Sequence, residues 1–269
     1  MMRFGVLLSG LLLTVQAWAA SDQGSGNMPP AEAIKPLPRI AIVIDDLGHN
    51  SGHTAFTELS FPVTLAILPF TPSGERLAQQ AYAAGHEVMI HMPMQPEGMT
   101  EQTQEVLDRF DSKAQFIATL GAAFSRLPQA RGLNNHQGSL LTAQPQQMDW
   151  LMQELKKRSL YFLDSRTTTA TVAEAAARTA GIPSNRRHVF IDNAPSLEAI
   201  RAQWQRARLI AENQGYAIVI GHPHTSTLTF LQQLASMPNE DIELVYFSEL
   251  LCEGKEKMGS TTMIGDYCW

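Results

Sequence analysis

The sequence predicts a parallel α/β fold, a distorted or incomplete (β/α) barrel of seven to eight strands. From Arg39 onward, short apolar runs alternate with helical stretches, which is the pattern of successive β/α units. Five of those runs end in residue types that ligate metals or move protons, at Asp45, His91, Asp164, Asp192 and His222. A Gly-x-Gly-x-x-Gly fingerprint and a Walker loop are both absent from the sequence, which removes support for a nucleotide-binding open sheet.

Ile40–Ile44, all β-branched or small, reads as a buried strand running into Asp45-Asp46, and Val63–Leu68 as a second strand. Ser73 is placed to N-cap the next helix, and Gly85 closes it. Val88–Ile90 is a strand leading into His91. Phe116, Ile117, Leu120 and Phe124 have helical spacing within Ser112–Leu127. Gly132–His136 is a short strand and loop, Gln146–Arg158 a helix, and Tyr161–Leu163 a strand ending at Asp164-Ser165. Val172–Ala180 is helical and stops at Gly181. Val189–Ile191 leads into Asp192-Asn193, and a long helix runs from Ser196 to about Asn213. Ala217–Ile220 then leads into Gly221-His222-Pro223-His224, with His224 placed to open a further helix, and Glu243–Phe247 is the last strand.

In parallel β/α folds the loops at the carboxyl ends of the strands converge on one face, and the site is built there. Strand-end Asp and His residues on so many units point to a metal site. For the pair Asp45-Asp46, alternation along a strand assigns one carboxylate to a cation and the other to a proton. His91, followed by the rigid Pro93, suits a metal ligand, as does His136 in the glycine-flanked loop Gly132–Gly138. Asn134 and Asn135 beside it are placed to cap backbone or to contact a polyol. His222 is the candidate general acid. His224, beyond Pro223, is expected to face the other way and not to share an ion with it. Asp164 with Arg166, and Asp192 on the next strand, are expected to orient a histidine or the base, or else to cap turns. His49, His53, His86 and His188 read as surface or turn residues.

The chain has 269 residues, 44% hydrophobic and 17% charged, enough for one sizeable core. Its formal charge of −6, without a Lys/Arg run, argues against a nucleic-acid partner. Arg3, the apolar stretch Phe4–Val15 and Ala17-Trp18-Ala19 have the form of a signal peptide over residues 1–19. The apolar stretch is shorter than the ~20 residues that span a bilayer. No stable membrane span is expected after cleavage, and the compartment expected is the periplasm. Residues 20–38 read as a flexible linker, 39–251 as the catalytic domain and 252–269 as a tail. Cys252 and Cys268, both in the tail, are structural or unpaired, and an oxidising compartment permits a disulfide between them.

Ile44-Asp45-Asp46-x-Gly48, His91-x-Pro93-Met94, Asn135-His136-x-Gly138-Ser139, Asp164-Ser165 and Gly221-His222-Pro223 together resemble, in order, the motifs of the divergent polysaccharide deacetylase family. These are relatives of metal-dependent carbohydrate esterases that remove N- or O-acetyl groups from chitin, peptidoglycan and other glycans. The resemblance runs from Arg39 to Leu251. It implies a distorted (β/α) barrel and a zinc-like divalent ion held by one Asp and two His, with Asp45 as base, Asp46 and His91 as ligands, and His222 as proton donor. The better-studied deacetylases carry His-x-x-x-His, whereas here the fifth position is Gln95, a poor zinc ligand, and His136 is the candidate for the remaining place. The function expected is an exported metal-dependent hydrolase that deacetylates an envelope or other glycan. Two other readings stay open, a hydrolase of a different amide or ester and a glycan-binding module with little turnover. Trp150, Trp204 and Tyr161 are aromatic residues of the type that stack on sugars, but their places on helices and a strand favour core packing.

Overall fold

A computed structural model describes residues 36–99, 103–237 and 241–251. The expected signal peptide, most of the linker, and the tail with Cys252 and Cys268 lie outside the described residues. Among the described residues there are nine strands: β1 (Arg39–Leu47), β2 (Thr64–Ile67), β3 (Glu87–Met94), β4 (Gly132–Gln137), β5 (Tyr161–Asp164), β6 (Ser184–Arg186), β7 (Val189–Phe190), β8 (Tyr216–Gly221) and β9 (Glu243–Val245). The helices are α1 (Gly74–Ala83), α2 (Lys113–Arg126), α3 (Pro145–Lys157), α4 (Ala173–Ala180), α5 (Leu197–Gln214) and α6 (Thr225–Ala235). Short 3-10 turns cover Ser51–Glu58, Leu141–Ala143 and Phe247–Leu251.

Every ladder is parallel, in the order β6-β5-β4-β3-β2-β1-β8-β7, with β9 against the start of β1. The two ends of this path, β6 and β7, are consecutive in the chain. Arg187 N–H still donates to Asp164 O of β5 (3.0 Å), whereas His188 N–H donates to Ile218 O of β8 (2.9 Å). Three Cα steps span at most about 11 Å, so this change of partner draws the sheet edges together. The result is a distorted β/α barrel with one irregular seam.

Period-two alternation sorts the strands into an outer layer under the helices and an inner layer in the barrel. On β1, Ile40, Ile42 and Ile44 join the outer core, while Ala41 and Val43 join the inner one. Met89, Tyr161, Leu163, Ile218 and Ile220 complete the inner layer, closed by Phe247 from the last 3-10 turn. Gly132 is required beneath Tyr161, because a Cβ there would lie 2.0 Å from the ring. At the amino end of the barrel Glu87 Oε1 accepts from Thr64 Oγ1 (2.8 Å) and Ser248 N–H (3.3 Å), and burial raises its carboxyl pKa despite these bonds.

The structure departs from the sequence reading in a few places. β1 and β3 extend to Leu47 and Met94, so Asp45, Asp46 and His91 sit within strands, not in the loops after them. β6 is polar and gains strand character only by pairing with β5, which leaves no apolar pattern to read. The Ser51–Glu58 turn is fixed by the Asn50 cap and by burial of His53 and Phe56. His53 does lie in a turn, but it and His86 are buried and not on the surface. Trp204 and Tyr161 are buried and Trp150 packs against the outer core, as their positions suggested.

Candidate metal centre and active site

The inner rows lead directly to the site. One step of two beyond Val43, Met89, Gly132 and Ile220 stand Asp45, His91, Asn134 and His222, and His136 follows Asn134 by one more step. The apolar core therefore ends in a polar layer at the carboxyl face.

Asp46 reaches the same centre through a break in alternation. The β1–β2 register shifts between Ile44 and Leu47, and Asp46 has φ +58°, a left-handed conformation that Asp tolerates better than most residues. The bulge turns both carboxylates toward His91: Nε2 lies 3.0 Å from Asp46 Oδ1 and 3.7 Å from Asp45 Oδ2. Simple alternation, from which the pair was expected to diverge, does not hold here.

Three donor atoms converge. His136 Nδ1 lies 2.8 Å from Asp46 Oδ1 and 3.1 Å from His91 Nε2, and His91 Nε2 closes the triangle at 3.0 Å from Asp46. The parallel register pairs His91 with Asn134 and Pro93 with His136, so the neighbouring strand supplies the ligand position that Gln95 does not. Gln95 faces elsewhere, its Oε1 accepting from Arg109 N–H at 3.1 Å.

Asn134 fixes the proton on His91. Its amide N–H donates to Asp45 Oδ1 (2.8 Å), so its carbonyl oxygen faces His91 Nδ1 (2.7 Å) and accepts from it. A neutral His91 then turns its Nε2 lone pair toward a carboxylate oxygen and a second imidazole nitrogen. Lone pairs at this spacing repel unless a proton or a cation lies among them. One carboxylate and two imidazoles are a donor set suited to zinc and similar divalent ions. Asp46 and His136 side chains are 34% and 27% exposed, so the triad has an open side. The residues present thus fit a divalent metal.

The charges agree. Burial would raise Asp46, but hydrogen bonds from His136 and His91 hold its carboxyl well below the usual range. Burial would lower His91, yet Asp45 and Asp46 together raise it. Without a metal, the cluster therefore favours a proton in the same position. Asp45 is raised by its own burial, only partly countered by His91 and Asn134.

His222 stands beside this cluster with a separate partner. Its Nδ1 lies 2.8 Å from Asp192 Oδ1, and Asp192 Oδ2 accepts from His222 N–H (2.6 Å) and Thr227 Oγ1 (2.7 Å). Burial alone would lower the His222 pKa, but Asp192, Asp45 and Asp46 raise it. A cleft of about 430 Å³ is lined by Asp46, His49, His53, Asp192, His222 and His224. His224 thus shares the cleft with His222, contrary to the expectation that it faces away. Residues two apart on extended chain point the same way, and His224 N–H bonds His222 O (2.7 Å) around Pro223.

Two expected orienting residues lie elsewhere. Asp164 falls on the outer row of β5 and caps its own turn, accepting from Arg166 N–H (2.8 Å) and Thr171 Oγ1 (2.9 Å). The Arg166 side chain makes no hydrogen bond or ion pair among the described residues, so neither residue holds Asp45 or His222. Asn135, also on the outer row, accepts from Ser165 N–H (2.9 Å) and donates to Gln137 O (2.8 Å), which ties two loops together. Asn134, read from the sequence as a backbone cap or a polyol contact, instead bridges Asp45 and His91, and Arg187 is a site residue the sequence reading did not single out. Arg187 donates to Ser165 O (2.8 Å) and Arg166 O (3.0 Å) across the seam, and its guanidinium covers Phe190 at 3.6 Å. The Phe190 ring packs on His222, centroids 5.6 Å apart. Burial, with Arg166 nearby, lowers the Arg187 pKa to about 10.

The likeness to known proteins agrees in extent with this domain. The chain is 38% identical over 217 residues to the uncharacterized protein YibQ of Escherichia coli K12, a match covering 80% of this chain and 68% of that protein. It is 37% identical over 214 residues to an uncharacterized protein of Haemophilus influenzae, covering 79% and 76%. Among solved structures, ATU2773 from Agrobacterium tumefaciens C58 shares the fold, with a TM-score of 0.74 and 23% identity over 81% of this chain and 91% of that one. The profile of one family, described as divergent polysaccharide deacetylase, matches residues 42–251, from the first strand to the last turn. By that match, the chain belongs to the divergent polysaccharide deacetylase family.

Proposed function

We propose that the protein is a divalent-metal-dependent hydrolase that removes acetyl groups from a glycan of the cell envelope. The observation that carries this reading is the convergence of Asp46 Oδ1, His91 Nε2 and His136 Nδ1 within 3.1 Å of one another. Asp45 and the His222–Asp192 pair flank this triangle. Asp46, His91 and His136 would hold the ion. Once bound, a divalent ion of this kind acidifies water and polarises a carbonyl.

The remaining work falls to side chains. Asp45 is buried and held by Asn134, and its raised pKa makes it a stronger base than an exposed aspartate, suited to take a proton from the attacking water. His222 has Nδ1 engaged by Asp192, which leaves Nε2 for the cleft. From there it would give a proton to the departing amine or alkoxide. Asn134 and Asp192 act as positioning residues for His91 and His222.

Acetate release from N-acetylglucosamine oligomers and from peptidoglycan tests the reading, with wild type compared with Asp45→Asn under added zinc. Release that disappears in the variant is the expected result. Glycan binding without acetate release, unchanged by Asp45→Asn and by chelation, would move the assignment to a binding module.

A further inference from the structure

We infer that Phe110 and the segment 107–110 that holds it form a glycan-binding ledge, a subsite for a sugar ring distant from the one being deacetylated. The identity of the polymer rests on the hydrolase reading above. The ledge lies on the loop between β3 and α2, at the same carboxyl face as the metal centre.

The described residues 107–110 of this loop are tied to β3 and α3. Gln95 N–H donates to Leu107 O (2.9 Å) and Leu107 N–H to Pro93 O (2.9 Å), a short ladder that continues β3. Gln95 Oε1 accepts from Arg109 N–H (3.1 Å), Asp108 Oδ1 accepts from Phe110 N–H (2.8 Å), and Gln147 Nε2 donates to Arg109 O (2.8 Å). Gln95 O also accepts from Leu140 and Leu141 N–H, so the loops after β3 and β4 are joined. The residue at the place of a second metal-binding histidine has become the anchor of this ledge.

On this rigid support Phe110 is 68% exposed, with the Arg109 guanidinium over its ring at 4.4 Å. A single exposed aromatic is ordinary on a protein surface. Its setting is less so: Phe110 walls a cleft of about 450 Å³ shared with Gln95, Glu97, Asp108, Arg109 and Leu140. An apolar face rimmed by charged and amide groups matches a pyranose ring, which offers C–H bonds on its face and hydroxyls at its edge. A lipid chain would call for a continuous apolar lining.

The ledge is attached to the strand that carries His91. Met94, next to Gln95, lines a second cleft of about 320 Å³ with Pro93, Val106, His49 and the ligand His136. His49 in turn lines the cleft of Asp46 and His222. The clefts of His222 and His136 thus share His49, and the Phe110 cleft begins at Gln95, one residue beyond Met94, an arrangement suited to an extended chain.

The test uses the N-acetylglucosamine dimer and hexamer with wild type, Phe110→Ala and Phe110→Trp. Dissociation constants come from calorimetry and kinetic constants from acetate release. Phe110→Ala is expected to raise Kd and KM for the hexamer about tenfold, with kcat, the dimer constants and the melting temperature unchanged, and Phe110→Trp to restore hexamer affinity. Equal hexamer affinity in wild type and Phe110→Ala, an equal loss for the dimer, or no hexamer binding at all would overturn the ledge. If acetate is not released, the deacetylase reading fails separately, and the calorimetric comparison still decides the ledge.

Discussion

Replacing Asp192 by Asn separates the proton-donor role of His222 from its mere presence. Asp192 accepts from His222 Nδ1 at 2.8 Å and from two other donors, and its charge is a main reason that the His222 pKa is raised against burial. A hydrogen bond to a charged group contributes about 1.5–3 kcal/mol net. The loss of that charge therefore lowers the His222 pKa by disfavouring the protonated imidazole. If His222⁺ donates the proton, the alkaline limb of the kcat/KM profile moves to lower pH in step with the His222 titration, while the acid limb, assigned to Asp45, stays in place. The sign for stability follows. The folded pKa of His222 lies above its unfolded value, so the pair stabilises fully below the unfolded pKa of about 6.5. That contribution is lost as pH rises through the folded pKa, so Asp192→Asn lowers the melting temperature more at pH 6 than at pH 9. The assay is the pH dependence of acetate release, with an NMR titration of His222 alongside. An unmoved alkaline limb together with a shifted His222 titration would refute the assignment of His222 as the acid.

Asn134→Ala removes the acceptor that fixes the His91 proton on Nδ1, and metal affinity measured by competition with a chelating dye should fall about 10–100-fold, with the fold intact by circular dichroism. Gln95→His should not add a metal ligand, because the side chain points to Arg109 N–H. It is expected to lower stability by about 1–3 kcal/mol in urea melts and to leave metal stoichiometry unchanged. Glu87→Gln tests the buried acid at the amino end of the barrel. Its folded pKa is raised by burial, so the wild type loses stability as pH rises above the unfolded value, at up to about 1.4 kcal/mol per unit. The variant lacks that slope and should gain relative stability from pH 5 to pH 8 in thermal melts.

Much of the barrel is legible in the chain because the inner and outer rows of β1, β3 and β8 are strongly apolar, and a period-two pattern fixes which residue comes next in each row. The same rows run on from Val43 to Asp45 and from Ile220 to His222. The pattern fails where pairing, not composition, makes the strand, as at β6, and where backbone conformation overrides alternation, as at Asp46. Asn134 and Asn135 show the limit most clearly. Both are polar neighbours of His136, and only the register of β3 against β4 decides that Asn134 faces His91 while Asn135 ties loops on the outer side. For Asp164 the strand-end pattern leaves two readings open, an orienting residue or a turn cap, and the structure shows the cap. Its row is the outer one, which is visible only once Tyr161 and Leu163 are known to face inward.

Asp46, His91 and His136 are predicted to form one metal site, with His136 standing where Gln95 cannot. Elemental analysis of the purified protein, wild type beside His136→Ala, tests this most directly. Near-stoichiometric zinc or another divalent ion is expected in the wild type, lost in a variant that still folds. Little metal in either protein after reconstitution, or equal metal in both, would contradict it.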